Sequence, residues 1–243
     1  ILAKYFSLRH VEVYRLRHLI ISGLYVIFPL ILILLQPELG YVLVIILIWL
    51  AIVVVAGIKF KHLLLLALIG IIIFSLGWFF LLKDYQKERI TSFLNPYSDP
   101  LGRGYNIIQS TIAVGSGKLF GQGLGRGTQS QLNFLPEQHT DFIFATIAEE
   151  WGFLGSAFLL ILFGILFYKL IRISLNSSNN FARLFPIGLA TMFLAQVIIN
   201  VGMNIGLLPI IGIPLPFVSY GGSSMIMSFI GLGIIQSIAI RNK

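Results

Sequence analysis

The alternation of apolar and polar positions divides the chain into six long apolar runs: Leu19–Leu35, Tyr41–Gly57, Leu63–Leu82, Phe153–Tyr168, Phe185–Gly206 and Ser223–Ile240. None contains Asp, Glu, Lys, Arg or His. Apolar runs of about 17 to 25 residues, at roughly 1.5 Å of rise each, cross a hydrocarbon core of about 30 Å as helices. In lipid each segment must satisfy its own backbone groups, so helices are predicted throughout. The expectation is an all-α, polytopic transmembrane bundle of six spans, a single membrane domain over residues 1–243.

The connectors differ in kind. Gln36-Pro37-Glu38-Leu39-Gly40 is a tight turn, in which Pro and Gly end one helix and start the next. Leu207–Gly222 carries Pro209, Pro214 and Pro216 but no charge, a composition suited to dipping into the interface against protein or a wet cavity. Residues 83–152 form a large loop. Tyr105, Ile107, Ile108, Ile112, Val114 and Leu119 supply it with amphipathic pieces for the membrane surface.

Charge then orients the bundle. Counted alternately, the connectors on the N-terminal side hold eleven Lys and Arg against Glu12 alone, and the other side holds six cations and eight acids. Lys and Arg are retained in the cytoplasm, so both termini are placed there and the 83–152 loop is extracytoplasmic. The net charge of +8 is thus a topology signal, and no nucleic-acid partner is needed to explain it. With 57% hydrophobic residues and a mean hydropathy of +0.93, a soluble domain is excluded. There is no cysteine, hence no disulfide or thiolate metal site. The chain opens on Ile1 inside a basic connector without a signal peptide, so it is expected to be the C-terminal part of something longer.

Candidate chemistry gathers in Gln131–Gly152, where four of the nine acids, Glu137, Asp141, Glu149 and Glu150, sit with His139. Asp141 precedes an apolar run, as either a first-turn carboxylate favoured by a helix dipole or a functional one. Glu149 and Glu150 fit a helix end with its acids toward water. His139 has no partners at metal-ligand spacing. The tract Gly115–Gly127 fits neither a Walker loop nor GxGxxG and is expected to form flexible turns, with Lys118, Arg103 or Arg126 available to an anionic head group. Gln196, Asn200 and Asn204 recur every fourth residue on one helix face, for interhelical hydrogen bonds or a polar cavity.

Four stretches are specific enough to carry a resemblance: KDYQKERITSFLNP (83–96), the glycine tract with Gln109-Ser110 before it, TQSQLNFLPEQHTDFIFATIAEEWG (128–152) and NVGMNIGLLPIIGIPLPFVSYGGSS (200–224). In that order, over essentially the whole length, the chain resembles the SEDS family (shape, elongation, division and sporulation) of polytopic peptidoglycan glycosyltransferases. Segments 83–89 and 128–131 are closer to its rod-shape branch than to its division branch. QPELGY stands where the family usually has QPDLGT, and Lys118 where a third glycine is common.

The resemblance implies a ten-helix fold of which these six spans are the last. It also implies an enzyme of the cytoplasmic membrane that polymerises lipid II, an undecaprenyl-diphosphate-linked disaccharide pentapeptide, at the outer face for cell elongation. Asp141 is the implied catalytic base. The implied substrate-binding residues are Arg103, Gln109, Lys118, Arg126, His139, Asn200 and Ser219, with the three cations holding the diphosphate. A loosely bound divalent cation is the expected cofactor, with none tightly bound, and a class B penicillin-binding protein the expected partner. A lipid flippase or transporter is the alternative that many-spanned topology leaves open, although carriers usually place ionisable groups inside spans. A fragment that only positions a partner is the other.

Overall fold

The computed structural model describes residues 1–8, 16–36, 39–80, 83–102, 104–132 and 134–241. The elements in order are α1 (Leu2–Ser7), α2 (Leu16–Leu35), α3 (Leu39–Val55), α4 (Phe60–Phe80), α5 (Asp84–Leu94), a 3-10 turn (Pro96–Ser98), α6 (Tyr105–Ser116), α7 (Thr128–Gln131), α8 (Ile143–Leu175), α9 (Asn180–Asn204) and α10 (Gly222–Arg241). No strand occurs among the described residues.

Five of these are long and apolar enough to cross a membrane: α2, α4 over Phe60–Gly77, α8, α9 and α10. The sixth expected span corresponds to α3, whose 17 residues at about 1.5 Å each give roughly 25 Å, somewhat short of a typical hydrocarbon core. Large apolar side chains point outward along these helices, among them Leu24, Phe28 and Leu32 of α2 and Phe158, Ile161 and Ile165 of α8. In water such surface would be a liability; against lipid chains it is the solvated face.

The chain packs as two compact units, one of Ile1–Lys83, Phe167–Ala195 and Phe229–Lys243, the other of Asp84–Leu166 and Gln196–Ser228. In the first, Ala3, Phe6, Leu19, Ile52, Val53 and Leu184 form the core. Polar groups within it are paired: Trp49 Nε1 donates to Ser22 Oγ at 3.1 Å, and Ser22 Oγ donates to the Leu19 carbonyl at 2.9 Å.

In the second unit the long loop is built, not slack. α6 buries Ile107, Ser110 and Ala113, three residues apart along one face, and Ala113 packs with Leu135, Phe142 and Ala145. Of the positions expected at the membrane surface, Ile107 is therefore core, whereas Ile112 and Leu119 are exposed.

α8 is two helices joined at Gly152, whose φ of 66° and ψ of −163° are not helical and suit essentially only glycine. The expected span start at Phe153 falls on this break. The glycine tract supplies the bonds that the break removes. Gln122 and Gly123 N–H groups donate to the Glu149 and Glu150 carbonyls at 2.9 and 3.0 Å, and the Lys118 and Leu119 carbonyls accept from Phe153 and Leu154 N–H at 2.8 and 3.1 Å. A Cβ on Gly117 would overlap the Ala148 carbonyl, and one on Gly121 the Glu150 carbonyl. The tract is thus a tight backbone joint where flexible turns were expected, and its glycines permit main chain to lie against main chain.

Candidate functional site

The site is built on His139-Thr140-Asp141, the last residues before α8. Three successive carbonyls in this segment are held from one side. The Tyr220 N–H donates to the His139 carbonyl at 2.8 Å. Ser219 Oγ donates to the Thr140 carbonyl at 2.6 Å. The Asp141 carbonyl accepts from both Asn200 Nδ2 at 2.9 Å and Asn204 Nδ2 at 3.0 Å.

The donors are themselves fixed. Asn200 Nδ2 also donates to the Ile213 carbonyl at 2.8 Å, Asn204 Oδ1 accepts the Ala145 N–H at 3.2 Å, and Ser219 Oγ accepts the Leu215 N–H at 2.7 Å. Asn200 and Asn204 have no exposed surface and Ser219 almost none. Buried polar networks this completely paired are rigid, so the backbone beneath Asp141 has little freedom. Asn200 and Asn204 of the polar stripe thus grip the loop backbone, and Asn204 also reaches the first turn of α8, so part of the expected interhelical hydrogen bonding is present.

Held this way, Asp141 lines a cavity of about 350 Å³ with Arg89, Ser92, Asn106, Ile107, Ile210 and Gly212. Such a volume lies within the range of small-molecule sites, about 300–1,000 Å³. Arg89 and Ser92 lie three residues apart on α5 and so share its face; Asn106 comes from the first turn of α6. Gly212, at φ +69°, passes close over the carboxylate: a Cβ there would come within 3.4 Å of Asp141 Oδ2. A carboxylate, a guanidinium, an amide and a hydroxyl thus border one space, able to accept a proton and to bind an anionic or hydroxylated ligand.

The other residues expected at the site are placed as follows. Asn200 and Ser219 stand behind the loop with their donors spent on backbone. His139 is exposed and Gln109 half-buried on α6; neither lines the cavity. Lys118 lines a separate apolar cavity, and Arg126 is exposed away from the lining of this one. Arg103 lies outside the described residues. Among the described residues the cation that lines the cavity with Asp141 is Arg89, which charge counting alone assigns only to the loop. Its signal was present, because Arg89 lies inside the 83–96 stretch that carries the family resemblance.

Glu149 departs from the expectation of an acid turned toward water. It is fully buried, and its carboxylate accepts Gln129 N–H at 2.8 Å, Ser130 N–H at 3.0 Å and Thr128 Oγ1 at 3.4 Å. The free amides of α7 gave it a partner inside the protein. Half-buried Glu150 accepts Gly125 N–H at 3.0 Å and Gln131 Nε2 at 3.4 Å. Among the described residues no three His, Cys, Asp or Glu side chains converge as metal ligands.

Fold and site together define a helical membrane protein that presents one clamped carboxylate in a polar cavity. The cell cycle protein family of FtsW, RodA and SpoVE matches residues 1–243, and the chain belongs to it. Peptidoglycan glycosyltransferase MrdB of Escherichia coli K12 is 43% identical over 215 residues, 88% of this chain and 58% of MrdB. Peptidoglycan glycosyltransferase RodA of Treponema pallidum is 46% identical over 160 residues, 66% of this chain and 37% of that protein. A solved structure of a peptidoglycan synthase complex, described as coordinating polymerization and crosslinking, covers 99% of this chain and 66% of its own at a TM-score of 0.80 and 36% identity. The chain thus spans a little over half the length of MrdB.

Proposed function

We propose that this chain carries the catalytic centre of a peptidoglycan glycosyltransferase that joins lipid-linked disaccharides, as in lipid II, into glycan strands. The observation that carries the reading is Asp141, presented by three clamped carbonyls into a cavity it shares with Arg89. Asp141 acts as general base. Forming a β-1,4 bond with inversion at the donor C1 requires the acceptor hydroxyl to lose its proton, which passes to an Asp141 carboxylate oxygen as the hydroxyl oxygen bonds to C1. The C1–O bond breaks, and its electron pair leaves with the diphosphate. That leaving group needs charge neutralisation more than protonation, so one carboxylate suffices, unlike the pair of a glycosidase. Arg89 meets the developing charge with a planar, permanently charged fork. A divalent ion travelling with the diphosphate would find Asp141 as its carboxylate.

In this reading the loop faces the outer side of the cytoplasmic membrane with both termini inside, an orientation that the basic excess of the N-terminal-side connectors supports. The partner is a membrane-anchored class B penicillin-binding protein that crosslinks the new strands, a reading supported by the synthase complex above.

The test is polymerisation of lipid II by the purified protein in detergent. Asp141→Asn is expected to abolish strand formation while inserting into the membrane normally; near-normal strands from that variant would reject the role of base. A topology reporter fused near position 141 should read as extracytoplasmic, and a cytosolic reading would remove the carboxylate from its substrate.

A further inference from the structure

A second cavity, of about 490 Å³, lies in the same unit and is almost wholly apolar; its lining includes Val114, Lys118, Phe144, Ser156, Ala157 and Val201. Three observations mark it as more than a packing gap. Lys118 adopts φ 47°, in the left-handed region that glycine enters without strain. The joint with α8 fixes that backbone, because the Lys118 carbonyl accepts the Phe153 N–H. Glycine would serve the joint better, so what lysine adds is its side chain: an exposed ammonium on an otherwise apolar slot.

The second observation is Ser156. It is only 7% exposed, and its hydroxyl has no hydrogen-bond partner. A helical serine ordinarily donates to the carbonyl four residues back. Here that residue is Gly152, where the helix is broken. The third is position: Phe153, Ala157 and Leu160 lie in the first turns after the Gly152 break of α8, a helix long and apolar enough to cross a membrane, so lipid chains would run beside the slot.

We infer that this cavity is a binding site for one anionic phospholipid of the surrounding bilayer, with its phosphate at Lys118, an acyl chain along Ala157, Leu160 and Val201, and an ester oxygen taken by the unpartnered Ser156 hydroxyl once its side chain turns from its buried position into the slot. The order of groups selects the ligand: cation, hydroxyl donor and apolar wall match phosphate, ester and chain. A polyprenyl phosphate, whose one ester is the phosphate itself, offers no carboxylic ester to the buried hydroxyl.

The test uses the full protein purified from its membranes in mild detergent, with bound lipid read by native mass spectrometry and by exchange in nanodiscs of phosphatidylglycerol or phosphatidylcholine. The wild type is expected to keep one phosphatidylglycerol and to prefer it over phosphatidylcholine. Lys118→Gly, which relieves the backbone strain and so should fold at least as well, is expected to lower retention about five-fold, the scale of one lysine at an anionic lipid surface. Lys118→Arg should retain the lipid, and Ala157→Phe, which fills the slot, should expel it. Equal retention by Lys118→Gly and wild type, or no preference for phosphatidylglycerol, would overturn the site. So would displacement of the lipid by inorganic phosphate, or by a polyprenyl phosphate at equal concentration.

Discussion

Asn204 fixes the backbone on both sides of the α8 start: its Nδ2 donates to the Asp141 carbonyl at 3.0 Å while its Oδ1 accepts the Ala145 N–H at 3.2 Å. Asn204→Asp keeps the shape and the acceptor but turns the donor into a second acceptor facing the Asp141 carbonyl. Leaving a buried carbonyl opposed in this way costs about 1–3 kcal/mol. The expected result is a lower melting temperature and a fall of about ten-fold or more in strand formation, with Asp141 itself intact. Full activity in Asn204→Asp would show that the clamp does not set the carboxylate.

Glu149 is the acceptor for two backbone amides and a hydroxyl of α7, all inside the protein. Hydrogen bonds to a charged acceptor are worth about 1.5–3 kcal/mol each, so Glu149→Gln, which replaces an acceptor oxygen by a donor, should visibly lower the thermal midpoint. Glu150→Gln should shift it far less, because Glu150 is half-buried and its bonds reach water. Thermal unfolding of the two variants side by side checks the difference.

At Gly152 the backbone conformation and the space both exclude a side chain: a Cβ would overlap the Gly121 N–H group and the Leu119 carbonyl. Gly152→Ala is expected to yield little folded protein in a detergent size-exclusion assay. Gly125→Ala, also at positive φ but with open space around it, should be the milder change.

Arg89 offers a separable test of the leaving-group role. Arg89→Lys keeps the charge but loses the fork, and Arg89→Ala loses both. Strand formation should fall in that order, with Arg89→Ala down about a hundred-fold, the scale of removing one charge-stabilising donor. Unchanged turnover in Arg89→Ala would take Arg89 out of the mechanism.

Five of the six spans were legible because bilayer thickness imposes a length that a run of uncharged residues displays directly; the expected start at Phe153 falls just after the Gly152 break, inside a helix that begins at Ile143. Asp141 was legible as a carboxylate in an unusual setting and by its motif. The partners of Glu149 and the roles of Asn200 and Ser219 were not. Each is set by which backbone group comes opposite in space, over separations of 19 to 79 residues, and periodicity along a chain carries no such information. Arg89 was missed for a related reason: counting loop charges says which side a cation is on but not which cavity it reaches.

The break in α8 is mended by main-chain atoms alone, so the bonds across it take no account of side-chain identity. Residues 119, 120 and 122 are therefore free to drift without moving the membrane segment relative to the carboxylate, provided the glycines keep their places. Natural variation can thus retune what the outside of this joint touches while the reacting geometry behind it stays constant.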